Sequence, residues 1–281
     1  MEATKNENIT NADFWAFWKK NYFTYVPPVF ITLILLVGQV LFGILDNYIY
    51  VVAAIVTSVV AEILLARFVL GTRKNLASAY ITGISVGILI RSNMLWPYIV
   101  TALISIMSKY VFRYKGRHIW NPSNFGVSWM LFVATSAVAG LSMQWGSNLL
   151  PMSVIWLLGL GIVYRAKRFH VTVTYVACFI VLAYVRSLIT GDVFLSEVSP
   201  LTGPMYQLFI FFMITDPGTS VSTKKGQILV VIIVALVEFF LRLDGFIYAP
   251  FYALFLVGPM ARLIDLRKSA PKAETKPVVS V

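Results

Sequence analysis

The sequence predicts an all-α integral membrane protein with ten transmembrane segments, arranged as two inverted five-helix repeats with short, broken third and eighth helices. Three observations predict it. The 281 residues are 59% hydrophobic and only 12% charged, with mean hydropathy +0.80, whereas soluble domains carry about 25% charged residues. Apolar runs recur from Val26 to Ile264, several of them long enough to cross about 30 Å of hydrocarbon. The Lys and Arg residues fall on one side when the segments alternate.

Taken in order, NADFWAFWKKNYF is aromatic and basic, so residues 1–25 are expected to be a cytoplasmic segment lying at the interface. No A-x-A-like site follows the first apolar run, so no cleaved signal peptide is expected. The first repeat, about 26–145, holds segments Val26–Leu45, Tyr48–Ala66, Ala77–Ile90, Met94–Val111 and Phe125–Leu141. The second, about 149–264, holds Leu149–Tyr164, Val171–Val185, Met205–Ile214, Ile228–Leu241 and Pro250–Ile264. Together they form one membrane domain, 26–264. Residues 265–281 are polar, basic and Pro-containing, and read as a cytoplasmic disordered tail.

With the N-terminus in the cytoplasm, every one of the 23 basic residues falls on the cytoplasmic side except Arg91, Arg186 and Arg242. The expected topology therefore has both termini cytoplasmic, in a bacterial cytoplasmic (inner) membrane. This arrangement also accounts for the net charge of +11 without nucleic acid as a partner.

Met205–Ile214 supplies about 15 Å of helix at 1.5 Å per residue, too little to span. Ala77–Ile90 is also short and contains Gly83 and Gly87. Short segments at matching places in two halves point to a site near the midplane. A local repeat agrees with this. Arg113, Gly116, Ile119, Trp120 and Pro122 match Arg242, Gly245, Ile247, Tyr248 and Pro250. Each copy joins the fourth and fifth segments of its half.

Candidate site residues follow from polarity at depth. Glu62 and Glu238 lie inside apolar segments, where an ionisable group suggests an ion or proton path. Each also has a plainer explanation: Glu238 precedes Arg242 by one helical turn, and Glu62 lies close to Arg67 near a helix end. Lys109 and Arg186 can snorkel to the interface. In TDPGTSVSTKKG, the hydroxyls of Thr215, Thr219 and Ser220, with Asp216, can hold a ring carbonyl or phosphate, or simply form a polar loop. In RHIWNPSNFG, Asn121 and Asn124 offer amides, and Ser123 or Asn124 can instead cap the fifth segment, with Trp120 at the interface. A lone cysteine, Cys178, and two histidines, His118 and His170, give no metal cluster.

Together, GRHIWNPSNFG and SPLTGPMYQLFIFFMITDPGTSVSTKKG resemble the NqrB/RnfD membrane-subunit family (NQR2/RnfD/RnfE-like) over about residues 60–268. The form NPSNFG is most similar to the standalone UnbU-like branch found beside enediyne biosynthesis proteins. The resemblance implies a ten-helix inverted-repeat fold similar to urea and ammonium transporters, a flavin, and electron transport coupled to ion movement. It also implies other redox subunits as partners, alongside the lipid bilayer. One departure stands out. Electron-transport members attach FMN to a Thr in the loop after the fifth helix, and here that loop, SMQWGSNLL (142–150), has no Thr. A covalent FMN-threonine site is therefore not expected, and a noncovalent flavin (FMN or riboflavin) or a quinone is. The alternative is a small-solute or product transporter or channel on the same scaffold, linked to a biosynthetic pathway and without redox activity. With no enzyme-type triad visible, the chain is at most the membrane subunit of a redox-driven ion-translocating complex.

Overall fold

The computed structural model describes residues 28–33, 35–41, 43, 45, 47–71, 76–140 and 149–268. The interfacial segment expected at 1–25, most of the loop 142–150 and the tail beyond 268 lie outside them. The described chain is mostly helical. Helix α1 covers Pro28–Leu41. Then come α2 (Tyr48–Leu70), α3 (Ala77–Leu89), α4 (Trp96–Val111) and α5 (Pro122–Val133). After residue 148 follow α6 (Leu149–Ala166), α7 (Phe169–Thr190), α8 (Phe194–Val198), a 3-10 turn (Ser199–Thr202) and α9 (Pro204–Leu208). A π-helix (Phe209–Met213) continues α9, and α10 (Lys224–Leu243) and α11 (Ala249–Lys268) close the chain.

Four of these helices, α2, α7, α10 and α11, are long and apolar enough to cross a membrane, and α1, α3, α6 and α9 with its π-turn are shorter and apolar. The packing suits a membrane protein. Helix α2 buries Ala54, Ser58 and Ala61 and turns Val52, Val56, Val60 and Ile63 outward. Small residues inside and large apolar ones outside is the membrane pattern, because helices in lipid associate through close packing rather than through burial of grease.

Local chemistry explains the ends. Asn47 caps α2 by accepting from the Ile49 amide at 3.0 Å. Glycine then sets how closely α3 lies on α2: a Cβ at Gly83 would stand 2.5 Å from the Ile55 Cα. Between α4 and α5 the chain makes a two-stranded hairpin, β2 (Arg113–Tyr114) with β3 (Arg117–His118). Its turn residues Lys115 and Gly116 have φ of 48° and 78°, the left-handed pair that a tight hairpin demands. Gly245 occupies the matching place before α11, with φ 82°.

The structure differs from the sequence reading at several boundaries. Helix α5 starts at Pro122 rather than Phe125 and stops at Val133. The strand β4 (Ala139–Gly140) follows and pairs antiparallel with β1 (Ile90–Arg91). Helix α11 continues through Lys268, so Asp265–Lys268 belong to a helix and not to a tail. A short α8 and a 3-10 turn fill the stretch before α9, where any amphipathic periodicity is too brief to be read.

The connections sort to two ends. At one, residues from the starts of α3 and α5, the end of α6 and the loop after the π-helix line one cavity. There Lys115 Nζ also donates to the Leu266 carbonyl of α11 at 3.2 Å. This end carries Arg113, Lys115, Arg117, Arg165, Lys167, Lys224 and Lys225 and is here called the basic end. At the other end β1 pairs with β4, and Tyr248 packs on Gly140, where a Cβ would meet its ring at 2.5 Å.

Helices α5 and α11 pack against each other. Pro259 lies inside α11 and has no amide hydrogen, so the Phe255 carbonyl one turn earlier loses its helical donor. The Trp120 indole N–H fills that place at 3.0 Å. One turn further back, the Asn124 amide donates to the Phe251 carbonyl at 3.3 Å. Ser128 adds a bond to the same Phe251 carbonyl at 3.2 Å. The indole N–H of Trp120 is thus committed to α11. Its ring joins an aromatic cluster with Phe112, Phe125 and Phe255.

Candidate functional site

A cavity of about 470 Å³ opens at the basic end and runs along the short helix α3 from Ala77 to Leu89, beside the start of α5 and the π-helix. Its walls are mostly apolar, with Ile81, Ile88, Phe211 and Phe212 among them. Its polar pole is made by Ser78 and Thr82 of α3, by His118, Asn121 and Arg165, and by Thr215 and Asp216. The π-turn helps to shape it. The Ile214 amide bonds the Phe209 carbonyl five residues back at 3.0 Å, and the widened turn leans Phe211 onto Gly159 of α6, where a Cβ would stand 2.6 Å from the ring.

Asp216 organises the polar rim. Its Oδ1 accepts from the Gly218 amide at 3.0 Å, and its Oδ2 accepts from the Thr219 hydroxyl at 2.8 Å. The Asn121 amide donates to the same Oδ2 at 3.2 Å, across 95 residues of chain. Asn121 is also the N-cap of α5: its Oδ1 accepts from the Asn124 amide at 3.1 Å and from the Ser123 hydroxyl at 2.9 Å. The cap is thus Asn121 rather than Ser123 or Asn124. One side chain starts the helix with its oxygen and joins the two halves of the chain with its nitrogen.

The hydroxyls are more committed than a ligand comb would be. Thr215 donates to the Phe211 carbonyl at 2.6 Å, and Ser220 donates to the Asp216 carbonyl at 2.7 Å. From α11, Arg262 Nη1 donates to the Ser220 carbonyl at 2.7 Å and Asp265 accepts from the Ser222 hydroxyl at 2.8 Å. Arg168, in the link between α6 and α7, has one buried Nη1 without a hydrogen-bond partner. Burial pulls its guanidinium below the ordinary pKa, and the Asp216 carboxylate acts the other way.

The two membrane-depth carboxylates lie apart from this cavity. Glu62 of α2 pairs with Lys109 Nζ at 2.9 Å and accepts from the Tyr110 hydroxyl at 2.9 Å, both on α4. The cation it meets is thus Lys109 and not Arg67, and Lys109, 5% exposed, does not snorkel. Glu238 of α10 pairs with Arg242 at 3.2 Å and accepts from the hydroxyls of Tyr175 and Tyr206. Arg186, also buried, pairs with Glu197 instead of reaching an interface. Among the described residues no group of three or more His, Cys, Asp and Glu could hold a metal ion.

No family model matches the chain. Over 130 residues it is 29% identical to the D subunit of the ion-translocating oxidoreductase complex of Cronobacter sakazakii (strain ATCC BAA-894). Part of this chain is similar to that protein. The aligned stretch is 46% of this chain and 36% of that protein, so the match spans about a third of the length of this relative.

Of the sequence candidates, Thr215, Asp216 and Asn121 line the large cavity. Thr219, Ser220 and Asn124, with Asn121 again, face a much smaller gap of about 40 Å³ on the other side of the rim. Sequence reasoning missed Ser78, Thr82 and Arg165. The only signal for the first two was a pair of hydroxyls spaced one turn apart on a helix too short to span.

Proposed function

We propose that the chain is the membrane subunit of a redox-driven ion-translocating assembly, crossing a bacterial cytoplasmic membrane ten times as two inverted five-helix repeats with both termini cytoplasmic. The partial similarity to an ion-translocating oxidoreductase subunit supports the class. The paired short helices, the matched left-handed glycines and the one basic end support the architecture and the orientation. The observation that carries the functional reading is the 470 Å³ cavity between the short helices, which falls within the size range of ligand pockets. Its apolar walls with two phenylalanines and a single polar pole suit a flat ring with one hydrogen-bonding edge. A noncovalent flavin (FMN or riboflavin) or a quinone fits that description.

Such a group would supply the one- or two-electron chemistry. Asn121, Thr215 and Asp216 would hold its polar edge, while Thr219, Ser220 and Asn124 would fix the rim and the α5–α11 contact behind it. Glu238, and less directly Glu62, would stand on the ion or proton path. Other redox subunits would exchange electrons with it, and lipid would cover the apolar faces.

A second reading, a small-solute or product transporter without redox activity, is favoured by one observation. A further cavity of about 420 Å³ opens at the opposite end, and the stretch Pro204–Met213 lines both, with Pro204, Met205 and Tyr206 on this one and Leu208, Phe211, Phe212 and Met213 on the other.

The test is the visible spectrum and extracted cofactor of the purified full chain. Flavin absorbance or extractable quinone near one per chain, lowered by Asp216→Asn, supports the redox reading. A colourless, quinone-free protein that exchanges a solute across liposomes sinks it in favour of the transporter.

A further inference from the structure

The cavity at the end opposite the basic one has its own chemistry. Two arginines line it, Arg186 and Arg242, on a face where Arg91 is the other basic residue among those described. Arg186 is 4% exposed. Its Nε and Nη2 hold the Glu197 carboxylate, and Nη2 also donates to the Glu197 carbonyl at 3.1 Å. Arg242 is held as firmly. Its Nε donates to the Tyr206 hydroxyl at 3.0 Å and to Glu238 at 3.2 Å, and Nη2 reaches the same hydroxyl. Its guanidinium lies 5.2 Å from the Tyr206 ring centre and 5.5 Å from that of Phe179.

In both guanidiniums Nη1 has no hydrogen-bond partner among the described residues, and neither is among the buried unpartnered atoms. Each Nη1 therefore keeps accessible surface, on a residue that lines the cavity. A guanidinium held along its Nε–Nη2 edge, with Nη1 unpartnered, is a preorganised donor matched to carboxylate or phosphate oxygen. Taking a guanidinium out of water is costly, which makes two largely buried ones on one cavity a functional signal. The remaining wall is largely apolar, with Phe246 and Ile247 at the mouth.

We propose that this cavity binds an oxyanion carried on an apolar body, a phosphate or carboxylate headgroup between Arg186 and Arg242 with its tail against Phe246 and Ile247. Glu197 and Glu238 already balance the two cations, and Asp192 adds negative charge at the rim. Recognition therefore rests on directed donors more than on net charge, and the rim carboxylate weakens it. The site is separate from the basic-end cavity and stands or falls apart from any cofactor bound there.

Arg186→Gln would remove a donor but also strand Glu197, so the decisive variants sit at the rim, where Ile247 is 68% exposed. The probe is hexyl phosphate, with hexanol as the uncharged control, added to the purified full chain in an uncharged detergent. The readout is the thermal unfolding midpoint, which rises when a ligand binds the folded state. The expected result is a saturable rise with hexyl phosphate and none with hexanol. Ile247→Glu, which places a like charge at the mouth, should weaken binding about tenfold, and Asp192→Asn should tighten it about threefold. Mass spectrometry distinguishes the natural source. Phosphatidylglycerol retained by the chain and displaced by hexyl phosphate identifies a lipid headgroup, while the same rise with no retained lipid identifies a soluble anion. No saturable rise in the wild type, or an equal rise in Ile247→Glu, overturns the proposal.

Discussion

Glu62 bridges α2 to α4, and Glu238 bridges α10 to α7 and α9. The two carboxylates are almost equally buried, at 3% and 1% exposure, yet their surroundings differ. Glu62 meets an ammonium and a phenol on one neighbouring helix. Glu238 meets two phenols and a guanidinium, and two of those partners, Tyr206 and Arg242, are themselves walls of a 420 Å³ cavity. Burial of a charge therefore separates a latch from a candidate path only when access is considered as well. Glu62 is placed to hold helices together. Glu238 is one side chain away from open space.

Breaking the latch should give the largest effect. Lys109→Ala leaves a buried carboxylate without its cation and is expected to lower stability by about 3–5 kcal/mol, read by denaturation in detergent micelles. The pair Glu62→Gln with Lys109→Met should recover most of that loss, because an uncharged, shape-matched pair has no desolvation to offset. Failure of the double variant to recover would mean that α2 and α4 need the charge itself.

At the other carboxylate, Glu238→Gln keeps the shape and acceptor oxygen but removes the charge facing Arg242. Its expected stability cost is smaller, about 1.5–3 kcal/mol, and ion movement in liposomes should fall far more than stability. Equal losses in both measurements would make Glu238 a second latch and erase the contrast with Glu62. Trp120→Phe keeps the ring but leaves the Phe255 carbonyl without a donor, for an expected loss of about 1–2 kcal/mol in the same denaturation measurement. Asp216→Asn replaces one of two acceptor oxygens with a donor among three donors and should cost about 1–2 kcal/mol, comparable to Trp120→Phe. Its larger consequence should be on the ligand content of the purified chain, since both halves of the cavity rim bond that carboxylate.

Local features were legible in the sequence, and distant ones were not. RYKGRH reads as a turn because Gly tolerates left-handed backbone, and the hairpin with φ 78° at Gly116 follows. The Glu238–Arg242 contact follows from a four-residue spacing. The partners of Glu62 lie 47 and 48 residues away on α4, and no spacing rule selects Lys109 over the nearer Arg67. The Asn121 and Asp216 motifs were each visible as polar breaks, but their bond spans 95 residues. What joined them is packing of short helices, whose apolar faces carry no address.

The α5–α11 contact has a mechanical consequence. A proline that removes one rung of a helix usually leaves a flexible joint. Here the missing rung is replaced by Trp120, and the next one is shared with Asn124. The joint is welded to its neighbour, so α5 and α11 should move as one rigid spine. The stretch Pro204–Met213 lines both cavities, and its wide π-turn is a departure from regular helix. Stiffness is therefore expected where an irregularity in a helix has been filled by a side chain from across the bundle.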